Sequence, residues 1–227
     1  MIENNKDYKI AILGGTGKEG RGLAYRWAKA GFPIIIGSRN PIKAIETAEE
    51  IKNMLSNDII ITGTSNEQAA QNCQAAVLTV PYSAHKIIIE SLKDFLHGKL
   101  FIDVTVPLTP PKVTKVQMPP AGSAAQESHL ILGDTVLLAA AFHNISYENL
   151  LDDAQEINCD VLVTGTSKES RQSTLTLVKA AGFFGLDAGP IENSVVLEGL
   201  TSILIGINHQ YKSNHAGIRI TGITRTD

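Results

Sequence analysis

Apolar residues along this chain fall in short, nearly unbroken runs rather than in strict alternation. Such runs stand at 9–13 (KIAIL), 32–37 (FPIIIG), 58–62 (DIIIT), 75–80 (AAVLTV), 99–104 (KLFIDV) and 135–142 (TVLLAAAF). Runs of this length and density predict parallel strands covered on both faces. Between them, 18–30, 41–55, 65–72 and 83–97 have helical length and are rich in Ala, Glu, Lys and Leu, with capping residues in "SRNP" and "TSNEQ". Further along, the pattern predicts a strand at 159–165, a helix over 167–182, a strand-like 185–189, a helix near 191–210 and a short strand about 216–221. Regular alternation of this kind predicts an α/β doubly wound parallel sheet with right-handed crossovers. The rhythm breaks at 106–122, where five prolines exclude helix and central strand and mark a long functional loop.

Glycines concentrate where the first strand meets the first helix. Gly15-Thr16-Gly17-Lys18-Glu19-Gly20 fits G-x-G-x-x-G in the strand–turn–helix setting that pyrophosphate binding requires. Gly15 is assigned to the tight turn, Gly17 to close approach of the backbone to a diphosphate, and Gly20 to close helix–strand packing. The amides opening the helix, from Thr16 to Glu19, then face the diphosphate. Gly14, Gly17 and Gly20 also satisfy G-x-x-G-x-x-G, so the pattern fixes a Rossmann dinucleotide site without fixing its subfamily.

The end of the second strand refines this. An NAD site places an acid there for the ribose hydroxyls, whereas this chain has "GSRNPIK". Ser38, Arg39 and Lys43 supply a hydroxyl and two cations suited to a 2′-phosphate, which points to NADP(H). The competing reading is that Arg39 and Lys43 only cap and solvate the next helix. Residues 1–165 are read as the NADP-binding domain and 166–227 as a small C-terminal helical or α+β domain that completes the substrate cleft.

Charge and cysteine content narrow the rest. The chain has 227 residues, a formal net charge of −3 and no concentrated basic face, so nucleic acid is not expected as a partner. No apolar run reaches the length of a membrane span, and Cys73 and Cys159 are isolated, as in a cytoplasmic protein with free thiols. The histidines lack metal-ligand spacing, and no metal is expected. Tyr82 and Lys86 spell Y-x-x-x-K, but after the fourth strand rather than the fifth; the match is read as accidental, with Tyr82 a packing or nicotinamide-contacting ring.

Taken in order, "LGGTGKEGRGLA", "GSR", "AAVLTVPY", "AAAFHNI" and "LDAGPIENSVVLEGLTSILIGIN" resemble the NADPH-dependent reductases of the deazaflavin coenzyme F420. The resemblance implies reversible hydride transfer between NADPH and coenzyme F420 in a cleft between a Rossmann domain and a small C-terminal domain. It places NADP contacts on Thr16, Gly17, Lys18, Glu19, Ser38, Arg39, Lys43, Tyr82, Leu108, Tyr147 and Ala216; Leu108, Tyr147 and Ala216 rest on the resemblance alone. It puts His143 beside the hydride path, where the imidazole could hydrogen-bond or protonate the reduced ring, or serve only structure. Ile145 becomes an apolar wall for the stacked rings. Other readings remain: a reductase of another flat acceptor such as a flavin, quinone or ferric chelate, or a non-catalytic NADP sensor. Gly199, Ser202 and Gly206 at helical spacing point to close approach of another helix or a flat ligand, with a homodimer expected through this region.

Overall fold

The computed structural model describes residues 6–55, 59–151 and 158–225. Its centre is an eight-stranded sheet in the order β3-β2-β1-β4-β5-β6-β7-β8. The strands are β1 (Ile10–Leu13), β2 (Ile34–Ser38), β3 (Ile61–Ser65), β4 (Ala75–Leu78), β5 (Leu100–Asp103), β6 (Leu137–Ala140), β7 (Asp160–Gly165) and β8 (Phe184–Pro190). The helices are α1 (Lys18–Lys29), α2 (Pro41–Met54), α3 (Asn66–Gln71), α4 (Tyr82–Leu92), α5 (Ala124–Leu132), α6 (Tyr147–Leu151), α7 (Lys168–Ala180) and α8 (Ser194–Tyr211). The order reverses between β1 and β4, which is where an open parallel sheet forms its crevice.

Side chains of β1 show how the runs become two cores. Ile10 and Ile12 face one layer with Leu23, Trp27 and Val178, whereas Ala11 and Leu13 face the other with Ile89, Leu92 and Phe101. Successive residues of a strand point to opposite faces, so a strand buried on both must be apolar throughout. All four residues of β1, and all four of β4, are buried.

The sheet is parallel except between β6 and β7, where Ala139 pairs with Gly165 and Ala140 with Thr164 in antiparallel register. The chain leaves the carboxyl end of β6, passes through α6 and descends as β7 without a crossover, so direction reverses. β8 returns parallel to β7 through α7. The sheet therefore runs on through residue 190, past the anticipated division at 165.

Three other details differ from the sequence pattern. β3 lies at 61–65 rather than 58–62, because it is the sheet edge and tolerates Thr62 and Thr64 where an interior strand would not. Residue 58 of the expected strand lies outside those described. Helices α5 and α6 were not anticipated; α5 starts directly behind the proline-rich stretch, capped by the Ser123 hydroxyl accepting from the Gln126 amide at 2.9 Å. Residues 216–221 form no strand. They run along β7, with the Asp160 amide donating to the Ile218 carbonyl at 2.8 Å and the Asp160 carboxylate accepting from the Ile220 amide at 2.7 Å.

The stripe of small residues on α8 packs against the chain's own loop. A methyl at Gly199 would lie 3.4 Å from Val116, and one at Gly206 would lie 3.8 Å from Thr114.

Gly20 is the tightest test of how α1 meets the sheet. A Cβ there would stand 2.7 Å from both the Gly15 Cα and the Thr79 hydroxyl. Gly20→Ala is expected to destabilise the protein by roughly 1–3 kcal/mol through overpacking, read as a lower urea midpoint at unchanged slope.

Candidate functional site

The turn after β1 is held by its neighbours. Gly14 adopts φ +73, a left-handed conformation that glycine enters without strain, and its amide donates to the Asn66 side chain at 3.1 Å. The Gly15 amide donates to the Gly37 carbonyl at 3.0 Å. Gly14 rather than Gly15 thus supplies the unusual dihedral. Gly15 is constrained instead by space, since a Cβ there would lie 2.8 Å from the Ile12 carbonyl. Gly17 differs from the rest of the turn: the nearest atom to an added Cβ is 3.9 Å away, so this backbone faces open space. Gly17 is the N-cap residue of α1, and no side chain caps the helix. The first amides of α1 therefore point outward unpaired, with the positive end of the helix dipole behind them.

At the end of β2, Ser38 is buried and its hydroxyl accepts from the Asn40 amide at 3.1 Å. Asn40 caps α2 by accepting from the Ile42 and Lys43 amides at 3.1 and 3.4 Å. Arg39 and Lys43 are exposed beside this cap. Capping falls to Asn40, which leaves both cations unengaged by any ion pair among the described residues.

Two chambers open along the carboxyl ends of β1, β4, β5 and β6. The first, about 520 Å³, is bordered by Gly17, Lys18, Thr79, Pro81, Tyr82 and Thr105. The second, about 460 Å³, is bordered by Tyr147, Leu204, Ile205, Asn208 and Ala216. Glu19, Leu108, His143, Ile145 and Thr201 belong to both walls and form the narrows between them. The structure thus gathers Glu19, Leu108, His143 and Ile145 at one point, puts Tyr82 in the first chamber and Tyr147 and Ala216 in the second. Ser38, Arg39 and Lys43 line neither chamber.

His143 is delivered to the narrows by an unusual backbone. Phe142 before it has φ +68, a strained conformation for a bulky residue, held by packing its ring edge-on to Trp27 and Phe183 at 5.7 and 6.0 Å. From α8 the Thr201 hydroxyl donates to the His143 carbonyl at 2.6 Å. The imidazole is buried with neither ring nitrogen hydrogen-bonded. Burial pushes its pKa down to about 4, against smaller opposing effects of Asp103. His143 is therefore neutral at pH 7, able to hydrogen-bond but not to act as an acid.

Lys18 of the first chamber meets Tyr147 of the second. The Lys18 ammonium donates to the Tyr147 hydroxyl at 3.0 Å and sits 4.3 Å from the ring centre, and the Tyr147 hydroxyl donates to Glu148 at 3.1 Å. Arg26 fixes α6 from beneath, donating to the Leu150 and Asn149 carbonyls at 2.7 Å each. Ala216 is placed by its amide donating to the Asn208 side chain at 3.0 Å.

Behind Tyr82 lies a buried polar cluster. His85 sits 2.8 Å from the Asp103 carboxylate and 3.2 Å from Glu127, and the Ser128 hydroxyl donates to Asp103 at 2.5 Å. The Asp103 carboxylate also accepts from the Thr105 amide at 2.9 Å. Burial alone would lower the His85 pKa, but the hydrogen bond and charge of Asp103, with Glu127, raise it overall. For Asp103, burial works upward and is outweighed by His85, Ser128 and the Thr105 amide, which lower it. Both shifts favour an imidazolium facing a carboxylate. Burial, then Glu127, push the Tyr82 phenol up to about 12, so it stays a donor. Lys86 turns away to Glu90, 3.9 Å distant, so Y-x-x-x-K assembles nothing here.

Asp103, His85 and Thr201 went unread in the sequence. The first had a signal: a lone acid closing the apolar strand "LFID" is a candidate for a buried, partnered charge. Thr201 had none, because its partner is a backbone carbonyl 58 residues away.

Comparison with known proteins places this geometry. The sequence model of the family described as NADP oxidoreductase, coenzyme F420-dependent, matches residues 9–107. The F420-dependent NADP reductase of Methanocaldococcus jannaschii is 38% identical over 222 residues, covering 95% of this chain and 99% of that protein. That of Methanothermobacter marburgensis is 35% identical over 221 residues, with 95% and 99% covered. Among solved structures, a putative F420-dependent NADP reductase from Arthrobacter sp. FB24 superposes with a TM-score of 0.77 at 20% identity, covering 93% of this chain and 98% of that one, a likeness of fold.

The buried cluster has a pH signature. The His85 contribution is complete below its ordinary value of 6.5 and is lost as pH rises through its higher folded value. That of Asp103 is complete above 3.8 and is lost as pH falls through its lower folded value. Asp103→Asn is expected to cost roughly 3–5 kcal/mol of stability by removing the nearer of the two carboxylates that face the buried His85 ring. The loss measured by urea unfolding should be largest between pH 3.8 and 6.5.

Proposed function

We infer the activity from family membership: this chain belongs to the family of coenzyme F420-dependent NADP oxidoreductases. It is an NADPH-dependent oxidoreductase that moves a hydride reversibly between NADP(H) and the deazaflavin coenzyme F420. The observation that carries this to the chain's own residues is the pair of chambers meeting at His143 and Ile145. Two flat rings have to stack closely for a hydride to cross, and two lobes of cleft sharing one narrow wall give each ring a place. F420-dependent relatives favour the deazaflavin over a flavin, quinone or ferric chelate as acceptor.

Each side chain then has a physical task. The open backbone at Gly17 and the amides from Thr16 to Glu19, those of Lys18 and Glu19 uncapped at the start of α1, receive the diphosphate, with Gly15 and Gly20 holding turn and helix together. Arg39 and Lys43, with the Ser38 hydroxyl, take the 2′-phosphate through charge-assisted hydrogen bonds. Bound NADPH supplies the hydride; the protein supplies position and exclusion of water. Ile145, Leu108 and Phe142 provide apolar walls, and Tyr82 presents a neutral hydroxyl from the floor of the first chamber. Tyr147 and Ala216 border the second chamber, where they contact whichever part of the cofactor or acceptor lies there. His143 orients a ring by hydrogen bonding as a neutral imidazole rather than by protonating it.

None of the described helices is long and apolar enough to cross a membrane. The two cysteines are free and buried, consistent with a cytoplasmic enzyme. A homodimer through α8 finds support in its outward face, where Val196, Ile203 and Ile207 are exposed at helical spacing.

Absorbance assays with NADPH and F420 test the reading directly; NADPH binding without F420 reduction would refute it. Arg39→Glu is expected to weaken NADPH roughly ten- to hundredfold, with NADH affinity little changed. Equal loss of both would remove the phosphate role. Gly17→Ala should fold with unaltered stability, since the space is open, and yet bind NADPH poorly in a fluorescence titration.

A further inference from the structure

Apart from His143, Glu19 is the only titratable side chain among the described residues that both chambers share. Its Oε1 is buried without a hydrogen-bond partner, in the first turn of α1. No cation among the described residues forms an ion pair with it. Lys18 beside it is directed to the Tyr147 hydroxyl, and Tyr147 in turn to Glu148. The remaining ionisable groups around the two chambers are Tyr82 from α4 and His209 from α8.

We propose that Glu19 is the proton donor that accompanies hydride transfer, a role resting on the F420 reading above. Reduction of a deazaflavin consumes a hydride and a proton. The C–H bond at nicotinamide C4 breaks and one forms at deazaflavin C5, so NADPH is oxidised and the acceptor reduced. The displaced electron pair reaches the pyrimidine end of the ring, where N1 takes the proton from the Glu19 carboxyl. Glu19 is left as a carboxylate and recovers its proton from water. The reverse direction uses the carboxylate as base.

Glu19 and His143 are pushed apart by the same dry surroundings. Burial raises the carboxyl to about 8 and lowers the imidazole to about 4. At pH 7 the acid holds an exchangeable proton and the imidazole does not, the pattern that separates an acid from its neutral partner in an active site. Its position also suits release. A carboxylate formed in the first turn of α1 is stabilised by the helix dipole, and a pKa near working pH lets the group act in both directions.

Difference infrared spectra of the protein alone read this group without turnover. A carboxylic-acid carbonyl band that titrates near pH 8 and is missing from Glu19→Gln is expected. In the reduction of F420 by NADPH, wild-type turnover should fall above about pH 8. Glu19→Gln should lose that alkaline limb and on the order of a hundredfold in kcat. Wild-type turnover and pH profile in Glu19→Gln, or a carboxyl band at pH 7 that Glu19→Gln leaves unchanged against the background of the buried Glu198 carboxyl, whose pKa burial also raises to about 8, would overturn the proposal. A native enzyme that binds NADPH and reduces no F420 would overturn the acceptor assignment instead, and with it this role; the band reports the protonation state independently of either.

Discussion

The rest of the structure depends on the contact of Gly20 with the Gly15 backbone and the Thr79 hydroxyl, where the helix brings no side chain of its own to the sheet. Any Cβ at Gly20 would force α1 away from the turn. Because it can approach, the helix starts directly above the ends of β1 and β4, and its unpaired amides open onto the first chamber. The same helix approaches α6 equally closely at Gly22, where a methyl would meet Leu150 at 2.5 Å. One glycine-bearing helix thereby sets the diphosphate platform and, through α6, the position of Tyr147.

Much of this was legible in the residues, for identifiable reasons. An interior strand must be apolar on both faces, so β1, β4 and β5 declare themselves; an edge strand need not be, and β3 was misplaced by three residues. Reversal at β7 was not legible, because antiparallel pairing with β6 rests on only two residue pairs and a long connection. The glycine turn and the cationic end of β2 were readable because backbone freedom and charge are local properties. The shared wall of the chambers was not, since residues 19, 108, 143, 145 and 201 come together only in the fold. The small residues of α8 were visible, but their partner was the chain's own proline-rich loop.

Buried polarity separates structural chemistry from chemistry left available to a ligand. Asp103, His85 and Ser128 satisfy one another, and both oxygens of the buried Glu198 side chain accept from the Ala124 and Ala125 amides at 2.7 and 3.0 Å, joining α8 to the start of α5. These groups are closed circuits. Glu19, half-buried but with its Oε1 out of solvent, and the buried His143 have an atom or a whole ring left unpaired. An unpaired buried polar atom is unfavourable on its own, and the fold tolerates it where a bound molecule restores the missing bonds.

The wall common to the two chambers has a thermodynamic corollary. If the first occupant shifts Leu108, Ile145 or Thr201 on arrival, the second meets an altered pocket. Linkage then requires that each occupant change the other's affinity by the same factor, whichever enters first. Order of addition would thus be a matter of rates alone, while the free energy of the ternary complex would be indifferent to the route by which it was reached.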